Sequence, residues 1–171
     1  GKTITYNGTA VNWVKDGSSN NPTIILNNVS TSENIIGFNS SIGSGVTLQI
    51  TGTSSGSIRT SGIMSGLGGA SLDKAGTFVA QAGHTFSGGF TLASGTVTLL
   101  TNTVGSPGSV TSGPLGKGNL ILNGGTLQNS ALHTLANNVQ VGGNFTVGSA
   151  TSNGSITLSG AVLLTGTGVT R

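Results

Sequence analysis

The chain has no cysteine, which removes a disulfide framework and any thiolate metal site. Charge is scarce: six Lys/Arg and three Asp/Glu give a net charge of +3 over 171 residues. The basic residues Lys2, Lys15, Arg59, Lys74, Lys117 and Arg171 lie far apart. Without a basic cluster interleaved with aromatics, there is no sequence basis for a nucleic-acid groove, and no nucleic-acid partner is expected. The acids Asp16, Glu33 and Asp73 are equally dispersed. Glycan-cleaving β-proteins need paired carboxylates, or a carboxylate-bound cation, and neither pattern is present. No run reaches the ~20 apolar residues of a membrane-spanning helix. The opening Gly1-Lys2-Thr3 carries no signal-peptide core, so a targeting segment is expected to have been removed or to lie outside this chain.

What the chain does have is glycine (31 residues), with abundant Val, Ile, Thr, Ser and Asn. β-Branched residues favour strands, and low net charge with 34% hydrophobic residues departs from the composition of disordered chains. Short β-prone runs recur at 23–26, 46–50, 90–92, 96–100, 119–122 and 155–158, punctuated by Gly, Asn-Gly and Ser-Gly. The best helical candidate, Gln128 to Asn137, is short and flanked by Asn and Gly, and reads as turn and strand. Alternation with Thr, Ser, Asn and Gln sends Leu92, Val97, Leu99, Leu120, Leu122, Leu127, Val139, Val141, Ile156 and Leu158 inward.

Turns every 5 to 10 residues suit a sandwich, a barrel or a β-solenoid. An internal similarity favours the solenoid: Thr53 to Gly62 and Thr151 to Gly160 share seven of ten residues at an offset of 98. That offset suggests a module of several coils, each of about 20–25 residues. A solenoid also accounts for the missing charge. Residues stacked about 4.8 Å apart on successive coils repel if each is ionised. The expected fold is therefore all-β: a parallel β-helix in a single stack. Residues 1–55 form a divergent N-terminal β segment or cap, with Tyr6, Trp13 and Phe38 as its aromatics, and residues 56–171 form the repeat helix.

The segment from Leu72-Asp73-Lys74-Ala75-Gly76-Thr77-Phe78 through His84-Thr85-Phe86-Ser87-Gly88-Gly89 to Gly95-Thr96-Val97 resembles the passenger-associated transport repeat of bacterial autotransporters. That repeat runs Leu-x-Lys-x-Gly, a Gly-Thr-Leu strand, an Asn-Thr-Tyr-x-Gly-Gly-Thr-Thr turn and a second Gly-Thr-Leu strand. Leu115 to Leu127 resembles the strand that follows it, and Gly56 to Gly69 and Gly154 to Gly168 the segment that precedes it. Phe78 replaces Leu, His84 Asn, Phe86 Tyr and Phe90 Thr, and the opening is one residue short between Lys74 and Thr77. The resemblance implies a right-handed β-helix, export across an outer membrane and a place outside the cell.

Each candidate for chemistry has a plainer reading. Gly52-Thr53-Ser54-Ser55-Gly56 fits a nucleophile-elbow pattern but lacks a strand-turn-helix setting. Gly116-Lys117-Gly118 lacks the remaining phosphate-loop residues and reads as a corner turn. His84 and His133 lack a sufficient ligand set and read as surface or corner histidines. The sequons at Asn7, Asn28, Asn39, Asn144 and Asn153 follow from composition. No catalytic, cofactor-binding or metal-ligating residue is expected, and no cofactor. The expected role is a non-catalytic stalk, adhesin or self-association segment of a bacterial surface or secreted protein. Its expected partners are copies of itself, neighbouring repeats or surface glycans. The alternatives are a filament subunit joined end to end and a carbohydrate-active β-helix enzyme.

Overall fold

The computed structural model describes residues 2–4, 11–27, 32–148 and 154–165. The first coil carries β1 (Lys2–Ile4), β2 (Val11–Trp13) and β3 (Thr23–Ile25), and the second β4 (Asn34–Ile36), β5 (Ser40–Ile42) and β6 (Thr47–Gly52). The third has β7 (Ser57–Thr60), β8 (Met64–Gly66) and β9 (Gly69–Lys74), and the fourth β10 (Thr77–Ala80) and β11 (Phe90–Leu92). The fifth begins with β12 (Thr96–Leu99), leaves the stack as β13 (Val104–Ser106) and β14 (Ser109–Ser112), and returns with β15 (Leu120–Leu122). The sixth has β16 (Thr126–Asn129), β17 (His133–Leu135) and β18 (Val139–Val141). A last turn carries β19 (Thr146–Val147), β20 (Ile156–Leu158) and β21 (Val162–Leu164). The described residues contain no helix.

The first face is a parallel sheet ordered β1-β4-β7-β10-β12-β16-β19, and the second is ordered β21-β18-β15-β11-β9-β6-β3. The third face holds β2-β5-β8 at one end and β17-β20 at the other. Each coil adds one strand to the first face and one to the second, so a β-solenoid of about six turns results, the expected parallel β-helix. Both long sheets cross the 55/56 boundary without interruption: β7 pairs with β4, and β9 with β6.

Period-two alternation builds the core. On the second face Ile24, Ile50, Leu72, Leu92, Leu122, Val141 and Leu164 are register partners in one inward column. On the first, Ile58, Phe78, Val97 and Leu127 form another, each almost wholly buried. Eight of the ten residues expected inward are buried, and Ile156 and Leu158 are half-buried against the core. The outward column Ser57, Thr77, Thr96, Thr126 and Thr146 is uncharged, as close stacking requires.

The 98-residue similarity has a different meaning from the one its sequence suggests. Ser57 to Thr60 is a strand of the first face, whereas Ile156–Leu158 lies on the third. The shared residues encode the same local step, a glycine corner leading into a strand, and that step serves either face. Of the N-terminal aromatics, Trp13 and Phe38 pack half-buried against the core, and Tyr6 lies outside the described residues.

Candidate functional site

None of the three acids joins another. Asp16 accepts from Ser18 N–H (2.9 Å) and from both the backbone N–H (2.8 Å) and side-chain amide (2.9 Å) of Asn20, bonds that hold its carboxyl below the usual carboxylate range. Glu33 forms an ion pair with Arg59 (2.9 Å), and Asp73 accepts from Ser94 Oγ (2.6 Å). No group of three metal-ligating side chains exists among the described residues. The Gly52–Gly56 segment runs from β6 into β7 rather than into a helix, and Ser54 Oγ accepts the Gly56 N–H (3.1 Å). Gly116-Lys117-Gly118 is a corner turn with Lys117 exposed. Of the sequon residues, Asn39 and Asn144 are described, and Asn7, Asn28 and Asn153 lie outside the described residues.

The unexpected residues are inside. Lys74 is 2% exposed and forms no ion pair among the described residues. Its Nζ donates to the carbonyl oxygens of Ser54 (3.1 Å) and Gly56 (2.7 Å), which bracket the corner of the preceding coil. Asn137 repeats the device three coils on: its Nδ2 donates to the carbonyls of Gly116 (3.2 Å) and Gly118 (2.7 Å). Asn129 Nδ2 donates to the carbonyls of Ala131 and Ser155. The Lys74 ammonium and the two Asn amides fasten corner carbonyls, two of which, Gly56 and Ser155, also accept from the strand N–H groups of Thr77 and His133 (3.4 and 2.9 Å). Burial lowers the Lys74 pKa from its usual value, since an ammonium ion loses hydration there. The pattern Leu72-Asp73-Lys74 already placed Lys74 on the face of Leu72, and the usual exposure of lysine hides this.

The two histidines are buried, which corrects the surface reading. They do not converge but hold the same place in their coils, four residues after the first-face register positions Ala80 and Asn129. His84 Nδ1 accepts the Met64 N–H (3.1 Å), so its proton is on Nε2, which donates to Thr60 Oγ1 (3.0 Å). At His133 the geometry reverses. Asn102 Oδ1 already accepts the Thr134 N–H (2.9 Å), so His133 Nδ1 donates to that same oxygen (3.2 Å). Its Nε2 is buried and has no partner among the described residues.

Five of the ten exposed large apolar residues among the described residues flank the third face or lie on its excursion. Val14 and Leu67 follow β2 and β8, Ile63 and Leu132 precede β8 and β17, and Val104 lies on β13, all exposed. The fold defines the class: a parallel β-solenoid with one interrupted face. No family model matches the chain, and neither a curated protein nor a solved structure matches it.

Proposed function

We propose that the chain is a non-catalytic structural segment of a bacterial cell-surface or secreted protein, a β-solenoid stalk that spaces or presents neighbouring regions outside the cell. The observation that carries this reading is how the interior polar groups are used. Lys74, His84, Asn129, Asn137 and His133 all bind atoms of adjacent corners or coils, so they hold the scaffold rather than face a substrate. The charge-poor outer columns and the resemblance to the autotransporter passenger repeat support it. The test is protease shaving of intact cells followed by antibody labelling. Surface label that disappears after shaving is expected, and a protein protected inside the cell overturns the reading. A glycan-cleavage screen tests the enzyme alternative, and turnover abolished by Asp73→Ala would establish it.

A filament built by end-to-end stacking is the second reading, favoured by one observation: both long faces pair in parallel from coil to coil, so a further copy could continue the same pairing. Sedimentation across protein concentration decides it: growing polymers support the filament, and a monomer at every concentration excludes it.

A further inference from the structure

We propose that the β13–β14 excursion is an acid-released flap, fastened to the solenoid by two histidines in equivalent positions and opposite tautomers, of which His84 is the latch. The excursion leaves the stack at Asn102–Thr103 and returns at Gly113. Its start is tied to the following coil: Thr103 N–H donates to the Thr134 carbonyl (3.1 Å), Thr103 Oγ1 accepts the Ala136 N–H (2.8 Å), and Asn102 holds His133. Its end is tied to the preceding coil by one antiparallel bridge, His84 N–H to the Gly113 carbonyl (2.8 Å) and Gly113 N–H to the His84 carbonyl (3.0 Å). His84 therefore joins three pieces, with its main chain on Gly113 and its ring between Thr60 and Met64.

The two rings are used differently: the His84 ring accepts a backbone N–H, and the His133 ring donates to a side chain. At His84 the proton arriving from solvent must go to Nδ1, the atom that accepts the Met64 N–H. Protonation therefore breaks that bond and leaves an imidazolium in a site with 0% exposure, its ring beside Phe86. At His133 Nδ1 donates to Asn102 Oδ1, so no backbone N–H depends on that ring as its acceptor. No charge stands ready to hold an imidazolium at position 84. Arg59 on β7 points outward and is paired with Glu33, Asp73 on β9 faces Ser94, and Lys117 after the excursion is exposed. Lys74, at the end of β9, is spent on the corner carbonyls of Ser54 and Gly56. The imidazolium must reach water, and residue 84 then lets go of Gly113. Opening frees the Gly113 side of the excursion, next to β8, while Thr103 and Gly108 stay tied to Thr134 and Ala136 and the two long sheets stay paired.

Burial pushes the His84 pKa down to about 4 in the closed form, against 6.5 for a solvated ring. Opening therefore takes up a proton between those values, and the open population rises about tenfold per pH unit of acidification. Amide exchange on the whole chain, corrected for intrinsic rates, reads this directly. Between pH 6.5 and 4.5, protection at Met64, His84 and Gly113 is expected to fall about fortyfold, less than the mid-range slope gives because both end points lie near a pKa, with Val97 and Leu122 unchanged. His84→Gln, whose amide can accept from Met64 and donate to Thr60 without titrating, should remove the dependence, whereas His133→Gln should keep it. Nitrogen-15 NMR of the rings should show Nε2–H at His84 and Nδ1–H at His133. Equal loss of protection on all faces, no loss anywhere, or one tautomer at both rings overturns the proposal. If His84→Gln does not fold, the native exchange profile and the ring tautomers decide alone.

Discussion

The first and second faces of the solenoid each run through seven parallel strands, whereas the third has three strands, a break and two more. The difference shows where this architecture can absorb sequence. Ser57, Thr77 and Thr96 stack at steps of 20 and 19 residues. The next step, Thr96 to Thr126, is 30, and so is Phe90 to Leu120 on the second face. Both faces stay in register across the long step, so the extra residues are taken up on the third. The core does not open there because Phe86 and Leu115, at 0% and 1% exposure, fill the space that an inward strand would occupy.

Two changes should break the continuous faces. The corner Asn123-Gly124-Gly125 donates from Asn123 and Gly124 to the Leu92 carbonyl (2.9 and 3.2 Å) and accepts from Thr146 at Gly125 (2.9 Å), while Thr126 donates to Gly95 (2.8 Å). Inserting four Gly/Ser residues between Gly124 and Gly125 should sacrifice these four bonds, about 4 kcal/mol in all and a large part of a domain's stability. The expected outcome is loss of the cooperative denaturant transition, or a midpoint displaced by most of its value. Phe78→Ala comes next. Phe78 is 0% exposed, stacked between Ile58 and Val97, with its ring 5.6 Å from that of Phe90. The cavity should cost about 3–5 kcal/mol in urea unfolding. A loss below about 1 kcal/mol would mean that the column repacks.

Lys74→Met sharpens the comparison at the junction of the second and first faces. It keeps most of the side-chain volume but strips the Nζ bonds from two carbonyls, one of which, Gly56, keeps a long contact from Thr77 N–H (3.4 Å). Stranded buried acceptors cost about 1–3 kcal/mol, partly offset because an ammonium no longer has to be buried. The sign of the pH dependence follows from the lowered pKa. The unfolded chain holds the lysine proton more tightly, so this group's penalty on the native state is full at neutral pH and fades as pH rises toward 10.5. The destabilisation caused by Lys74→Met, measured by urea unfolding, should therefore be larger at pH 10 than at pH 7. Glycine is as constrained as lysine at this junction: at Gly95 (φ +79°) a Cβ would strike the Lys74 carbonyl oxygen.

The two continuous faces were legible in the sequence because alternation is a strong signal. The runs at 90–92 and 96–100 became β11 and β12 almost residue for residue. The third face was not. Its β8 is Met64-Ser65-Gly66, with no β-branched residue, and its interruption is written as Gly105-Ser106-Pro107-Gly108, which reads like any turn. The inward polar residues were hidden for a related reason. Lys74, Asn129, Asn137 and both histidines obey the inward alternation, but polar residues are mostly exposed. Only the pairing of coils reveals the carbonyls that satisfy them. Glycine corners recur on every face, so similarity between Thr53–Gly62 and Thr151–Gly160 could not say which face either occupies.

The smallest effect should come from the tip of the excursion. Val104, Gly105 and Ser106 are exposed, and the turn between Ser106 and Ser109 is closed by their pairing. The contacts that matter lie on either side: Thr103 with Thr134, and Gly113 with His84, with Gly108 N–H reaching the Ala136 carbonyl (2.9 Å). Four Gly/Ser residues placed between Ser106 and Pro107 lengthen the two-residue turn to six and leave those anchors within reach. Loop closure predicts a loss of about 1 kcal/mol or less. The same four residues that undo the Gly124–Gly125 corner should thus move the urea midpoint only slightly at the tip. If the tip insertion proves as damaging as the corner insertion, the third face is as tightly specified as the other two, and the idea that its interruption absorbs sequence is wrong.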